Sequence, residues 1–214
     1  MDQSEPTGEP GTPPQASTPP PASTPPPGGW AAPPAPAQTG PAGFVYADVP
    51  NRAIAYIIDA ILVGIIAGII GAILGGVGLS TMTVSDTLDI EINYVGLIVS
   101  AIVGAAISAA YFVYTWTNMR GTLGMKALGM QIGNAGDGKT LTMDQATRRW
   151  LVIAAPGILA QVFFVLPALG SLIGLLAFGW FLYLLWTTYS SPTKQGFHDK
   201  FANTMVVKAA RTAG

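Results

Sequence analysis

The sequence predicts an all-α membrane protein, a small transmembrane helix bundle with four spans favoured and three permitted, behind a disordered proline-rich N-terminal tail. Three observations point there. Half of the 214 residues are apolar and only 10% are charged, against about one-quarter in an ordinary soluble domain, so the lipid bilayer is the partner that suits most of the surface. Long apolar runs alternate with short polar segments. The acidic and basic residues are sorted between those segments, as they are where charge sets membrane topology.

The tail covers residues 1–45. Fifteen of the eighteen prolines fall within residues 1–50, and Ala-Ser-Thr-Pro-Pro-Pro is repeated in tandem at Ala16 to Pro21 and Ala22 to Pro27. Proline fixes φ and removes backbone donors, so this segment reads as an extended, polyproline-II-rich coil that cannot bury a core. It reads as a spacer or solubilising tail before it reads as a ligand for a proline-recognition partner, with Trp30 as the one suggested docking point. Its start is acidic and polar, unlike a secretory signal, so the first membrane helix itself is expected to carry the targeting information.

Residues 53–78 are almost purely apolar and long enough to cross a hydrocarbon core of roughly 30 Å with some tilt. A polar stretch follows with Asp86, Asp89 and Glu91 and no Lys or Arg, then a second apolar run over 94–117. After it come Arg120, Lys126, Lys139, Arg148 and Arg149. The positive-inside rule then puts the acidic loop outside and the basic loop with the N-terminal tail in the cytoplasm. The next apolar stretch, Trp150 to Thr188, would be about 58 Å long as one helix, so it must fold back. Pro167-Ala-Leu-Gly170-Ser171 is the expected break, dividing it into spans over 150–166 and 169–188. Four spans also keep Lys194, Lys200, Lys208 and Arg211 on the cytoplasmic side. The expected protein is thus multi-pass in the plasma (inner) membrane with both termini cytoplasmic, its membrane domain covering 46–208 and a short tail following over 209–214.

Within the basic loop, Gly121 to Ile132 alternates small, apolar and basic residues and reads as a short amphipathic piece on the membrane surface. Asn134-Ala-Gly-Asp-Gly138 is a turn signal. Thr142-Met-Asp-Gln145 fits a capping box, which starts the next helix at Met143 and brings Arg148 and Arg149 to its entry into the headgroups, with Trp150 as anchor.

The chain has no cysteine and one histidine, which leaves no thiolate chemistry and no plausible metal cluster; no cofactor and no catalytic set is expected. A net charge of −1 gives no reason to expect nucleic acid. Asp59 is the one ionisable residue well inside an expected span. A charged carboxylate there costs a few kcal/mol on insertion scales, so it should face the bundle interior and be paired or protonated. Arg52, seven residues earlier, lies on the same helix face near the membrane surface. Asp59 is expected to bond to Tyr56 or a neighbouring helix, and His198 with Asp199 to bond locally at the surface. Small residues four apart, Ala60, Gly64 and Gly68, Ala67, Gly71 and Gly75, and Ser100, Gly104 and Ser108, read first as intrachain packing faces and second as a seam for a homo-oligomer.

Asn51-Arg52-Ala-Ile-Ala-Tyr56-Ile-Ile-Asp59 resembles the opening of the RDD family, named for one arginine and two aspartates. Gly121-Thr-Leu-Gly124 followed by Lys126 and Gly129 resembles its Gly/Leu/Lys-rich loop, with Met125 standing where that family usually has lysine. Arg148 and Arg149 resemble its basic pair, and Gln195-Gly-Phe-His198-Asp199-Lys with Thr204-Met-Val-Val207 resembles its C-terminal signature. The likeness runs from about Tyr46 to Lys208 and implies that Arg52, Asp59 and Asp199 are the named residues, with Tyr56, Arg148, Arg149 and His198 in support. It implies transport of ions or small ligands, cation/proton exchange being the concrete form. The alternative is a non-catalytic scaffold or accessory subunit recruiting partners through its tail and basic loop. A pairing of Arg52 with Asp199 near the surface is expected, with Arg52 shared between Asp199 and Asp59.

Overall fold

A computed structural model describes residues 44–209. Residues 1–43 of the expected disordered tail, with Trp30 and any proline-recognition partner, lie outside the described residues, as do the last five positions, whereas Val45, expected in the tail, pairs with Lys208.

Helix α1, Val49–Gly76, carries Pro50 in its first turn, where a missing N–H costs nothing. Only Ala55 and Asp59 of its 28 residues are buried. Ile57, Ile61, Ile65, Ile69 and Ile73, four apart, form an exposed stripe suited to acyl chains. The acidic loop that follows holds a small antiparallel hairpin, β1 (Met82–Val84) with β2 (Ile90–Ile92). Helix α2, Tyr94–Asn118, is capped by the Asn93 side chain, which accepts from Gly96 N–H at 3.0 Å.

The following segment corrects an expectation. Gly121 to Ile132 is not a surface-lying amphipathic piece. It forms a one-turn helix, α3 (Leu123–Ala127), and then strand β3 (Met130–Asn134). Met125, Met130 and Ile132 are buried, and this apolar content takes the segment inward.

Helix α4, Met143–Phe163, begins at the expected residue: the Thr142 hydroxyl accepts from Gln145 N–H at 3.2 Å while the Gln145 side chain accepts from Thr142 N–H at 3.1 Å. It ends at Phe163, three residues short of the expected limit, and the chain reverses over 164–166. The break thus lies just before Pro167, which opens helix α5, Pro167–Ser190. Proline suits the first turn of a helix and forces the preceding residue out of helical geometry, and Leu166 is extended at φ −100°, ψ 97°. Helix α6 (Phe197–Phe201) and strand β4 (Thr204–Lys208) complete the order.

Strands β3 and β4 pair antiparallel with Ile132 opposite Val206. Tyr46 bridges to Val207 on the other edge of β4, with Lys208 N–H donating to Val45 O at 2.9 Å. Ile132 and Val206 are at most 1% exposed. Each such burial stabilises by roughly 1.5–3 kcal/mol. They join Ala47, Ala55, Phe112, Trp116, Met125 and Ala146 in the main core cluster. That core sits at the Arg52 end of the bundle, where a cap of β3, β4, α3 and α6 closes it.

Among the described residues three helices are long and apolar enough to cross a membrane: α1, α2 and the Ala168–Ser190 part of α5. Helix α4 packs between α2 and α5, but its first turns carry Asp144, Arg148 and Arg149. The small residues differ from expectation too. A Cβ added at Gly64, Gly68, Gly71 or Gly104 would meet nothing within 4 Å, so these glycines do not form tight intrachain seams.

Candidate ion site at the Arg52 end

Asp199 is fully buried, and every oxygen lone pair it has is put to use. Its Oδ2 takes Arg52 Nη1 at 2.8 Å and Gly196 N–H at 3.1 Å; its Oδ1 takes Arg149 Nη1 and the Thr204 hydroxyl at 3.2 Å. Gly196 serves as the N-cap of α6, and a Cβ there would fall on the Thr188 hydroxyl, so the sequence needs glycine at this position. Arg52 is fixed further by donating from Nε to Ala47 O and from Nη2 to Val206 O, both at 3.1 Å. Arg149 also donates to the Thr204 hydroxyl at 2.7 Å, and its guanidinium lies 5.1 Å from the centre of the Trp116 ring. One carboxylate therefore ties α1, α4, α6 and β4 together.

Burial alone would raise the Asp199 pKa. Arg149, His198 and Arg52 more than reverse it and hold the carboxyl far below the usual range. Burial pushes His198 down to about 3 against the pull of Asp199, with Arg149 and Arg52 adding to the fall. At neutral pH the ring is uncharged. Its Nε2, 3.5 Å from Asp199 Oδ2, is then a polar neighbour and not an ion-pair partner. Two guanidiniums against one carboxylate leave the cluster with a surplus positive charge.

Asp59 stands apart from that cluster. It is 2% exposed, and both of its hydrogen bonds fall on Oδ1: from the Tyr111 hydroxyl at 2.7 Å and from Gly124 N–H at 2.8 Å. Tyr111 in turn accepts from Leu123 N–H at 3.1 Å. Gly124 is what lets α3 reach the carboxylate, because a Cβ there would collide with Ala55 O of α1. A cavity of about 100 Å³ is lined by Arg52, Tyr56, Asp59, Trp116, Arg149 and His198, with apolar side chains completing the wall. Asp59 thus faces the same space as the surplus positive charge, although no ion pair among the described residues includes it.

A model of the RDD family matches residues 46–203. The chain belongs to the RDD family. Searches of curated proteins and of solved structures gave no match. In this RDD protein Arg52 and Asp199 are joined directly, the pairing expected from the sequence. Arg52 is not shared with Asp59 through an ion pair; its remaining donors go to backbone carbonyls. The basic pair is split: Arg148 turns outward to Asp144 at 2.9 Å, while Arg149 turns inward to Asp199. Tyr56 lines the cavity, stacked on Phe112, but the phenol bonded to Asp59 is Tyr111. His198 and Asp199 are buried and not surface residues. Tyr111, Trp116 and the Gly124 amide were missed by sequence reasoning. Gly124 and Thr204 stood inside recognisable motifs, whereas nothing in the local sequence distinguishes Tyr111 from a core aromatic.

Proposed function

We propose that this RDD-family membrane protein transports an ion or small ligand, most concretely by exchanging a cation against protons, and that Asp59 binds the travelling proton or cation. The observation that carries the reading is the placement of Asp59. A carboxylate within an apolar helix is held on one oxygen by two donors and lines a cavity shared with Arg52, Arg149 and His198. Intramembrane carboxylates are expensive, and binding and releasing a proton is a use that offsets the expense.

The proposal places the protein in the plasma membrane with α4 as the third of four spans and both termini cytoplasmic. The gathering of the Lys and Arg side chains among the described residues at the Arg52 end supports that orientation. It is a proposal for binding and translocation and not for catalysis. The alternative of a scaffold keeps Lys126, Lys139 and Arg148 as exposed basic side chains, although the backbone between them is folded into the cap. Proteoliposomes bearing wild type or Asp59→Asn, given a pH gradient and then a cation gradient, test the reading. Cation-dependent proton movement should be present in wild type and fall at least tenfold in Asp59→Asn. Equal movement in both would overturn it.

A further inference from the structure

We propose that a water-filled route leads from Asp59 to the hairpin end of the bundle through three successive chambers, divided first at Tyr56 with Ile153 and then at Gln161. It adds a path and two constrictions to the transport reading, and rests on that reading only for what moves along the path.

The first chamber is the cavity of about 100 Å³ at Asp59. The second, about 350 Å³, lies between α1, α2 and α4 and is lined by Gly71, Ser100, Gly104, Ser108, Gly157 and Gln161 among others. The third, about 420 Å³, lies by Thr81 and Met82 of the hairpin end, with Leu97, Gln161 and Gly174 in its wall. Tyr56 and Ile153 line both the first and second chambers, and Gln161 lines both the second and third. Adjacent chambers therefore share walls.

Their order along the bundle can be read from the helices separately. On α2 the lining residues move from Trp116 and Phe112, through Ser108 to Ser100, to Leu97. On α4 they move from Arg149 through Gly157 to Gln161, and on α5, which lines the two end chambers, from Thr188 back to Gly170. Helices of opposite direction agree, so the chambers are stacked along the axis and not scattered around it. On α1 the lining runs from Asp59 to Leu74, a rise of about 22 Å, most of a hydrocarbon core of roughly 30 Å.

The chemistry of the middle chamber favours water over acyl chains. Ser100, Ser108 and Gln161 put hydroxyls and an amide on its wall, and the Gln161 side chain has no hydrogen-bond partner among the described residues. An amide left unpaired in hydrocarbon is costly, and water would remove that cost. At about 30 Å³ per molecule there is room for about ten waters. The glycines explain the space. A Cβ at Gly71, Gly104 or Gly157 would meet nothing within 4 Å, so they hold a chamber open instead of drawing helices together. Tyr56 divides it from Asp59, its ring braced 6.1 Å from Phe112 and 5.8 Å from Phe181.

The absence of cysteine from the chain makes the test direct. Single cysteines at Ser100 and Gln161, and at Ile69 on the exposed stripe as the lipid-facing control, are reacted in proteoliposomes with a charged, membrane-impermeant thiosulfonate from the hairpin side. Size-exclusion profiles and reaction with a permeant maleimide verify folding and free thiols. Ser100→Cys and Gln161→Cys should react at least tenfold faster than Ile69→Cys. Tyr56→Ala should then speed reaction at Leu185→Cys, in the first chamber, by tenfold or more. Rates no faster than the control mean a lipid-filled cleft and overturn the route, as does labelling that stops at Gln161→Cys. An unchanged rate at Leu185→Cys overturns the role of Tyr56 as divider. Labelling needs no substrate, so a dry cleft counts against the route alone, whereas normal flux in Asp59→Asn with a wet cleft counts against the transport reading alone.

Discussion

Arg52 and Asp199, 147 positions apart in the chain, meet at 2.8 Å in a buried ion pair, and Arg149 holds the opposite oxygen of the same carboxylate. Removing that carboxylate strands two buried guanidiniums. Asp199→Asn should destabilise the detergent-solubilised protein by about 3–5 kcal/mol, the usual result of breaking a buried pair from one side, read as a lowered unfolding temperature. The charge swap Arg52→Asp with Asp199→Arg should not restore stability. It would bring a new guanidinium against Arg149, and the double variant should melt no higher than the worse single one.

The pH response should come first from His198. Its unfolded imidazole titrates near 6.5 and its folded one near 3, so between those values only the unfolded chain takes up the proton. Its contribution is fully present above about pH 6.5 and drains away as pH falls, at up to about 1.4 kcal/mol per pH unit. The depressed Asp199 adds its own loss only below the ordinary carboxylate range, near pH 4. Thermal unfolding from pH 7.5 to 5 should therefore show wild type falling and His198→Gln nearly flat. The groups facing this ring are Asp199, Arg149 and Arg52.

At Asp59 the two donors can be removed separately. Tyr111→Phe deletes one bond to a carboxylate and leaves Leu123 N–H without its acceptor, a loss of about 1.5–3 kcal/mol. Gly124→Ala pushes α3 off α1 and breaks the other, costing about 1–3 kcal/mol by overpacking. Both should lower the unfolding temperature, and Gly124→Ala should also raise amide exchange over 123–127, which Tyr111→Phe should do less.

Topology can be read with the same thiol chemistry in intact cells. Asp89→Cys in the β1–β2 turn should react with an impermeant reagent from outside, and Lys139→Cys and Lys208→Cys should not. External labelling of Lys208→Cys would put α4 on the membrane surface and leave three crossings.

The starts of α2 and α4 were the most legible part of the fold. Thr142 with Gln145 fixed the beginning of α4 to the residue, because a capping box is a local bond that nearby sequence can specify. The Arg52–Asp199 pair was legible only through a family likeness, since no local rule links residues so far apart. The cap was not legible. The stretch Met130–Asn134 has too few residues to show a strand period, and it becomes a strand because Thr204–Lys208 is there to pair with it. The pairing of Arg148 and Arg149 in sequence hid their opposite fates, which follow from successive helix positions pointing about 100° apart. Asp59 was recognised by its cost in lipid, but its partner Tyr111 belongs to another helix and carries no signal of its own.

The distance in sequence between the two halves of the ion cluster has a bearing on how the protein is made. Arg52 leaves the ribosome 147 residues before Asp199, which at 5–20 residues per second is about 7–30 seconds. During that interval its charge is free to hold the start of α1 at the membrane surface while the later helices are inserted. Only when Asp199 and β4 arrive can the cap close. The same guanidinium thus acts first as an anchor during biogenesis and afterwards as half of a latch, and a nascent chain cut short before Asp199 has the anchor without the latch.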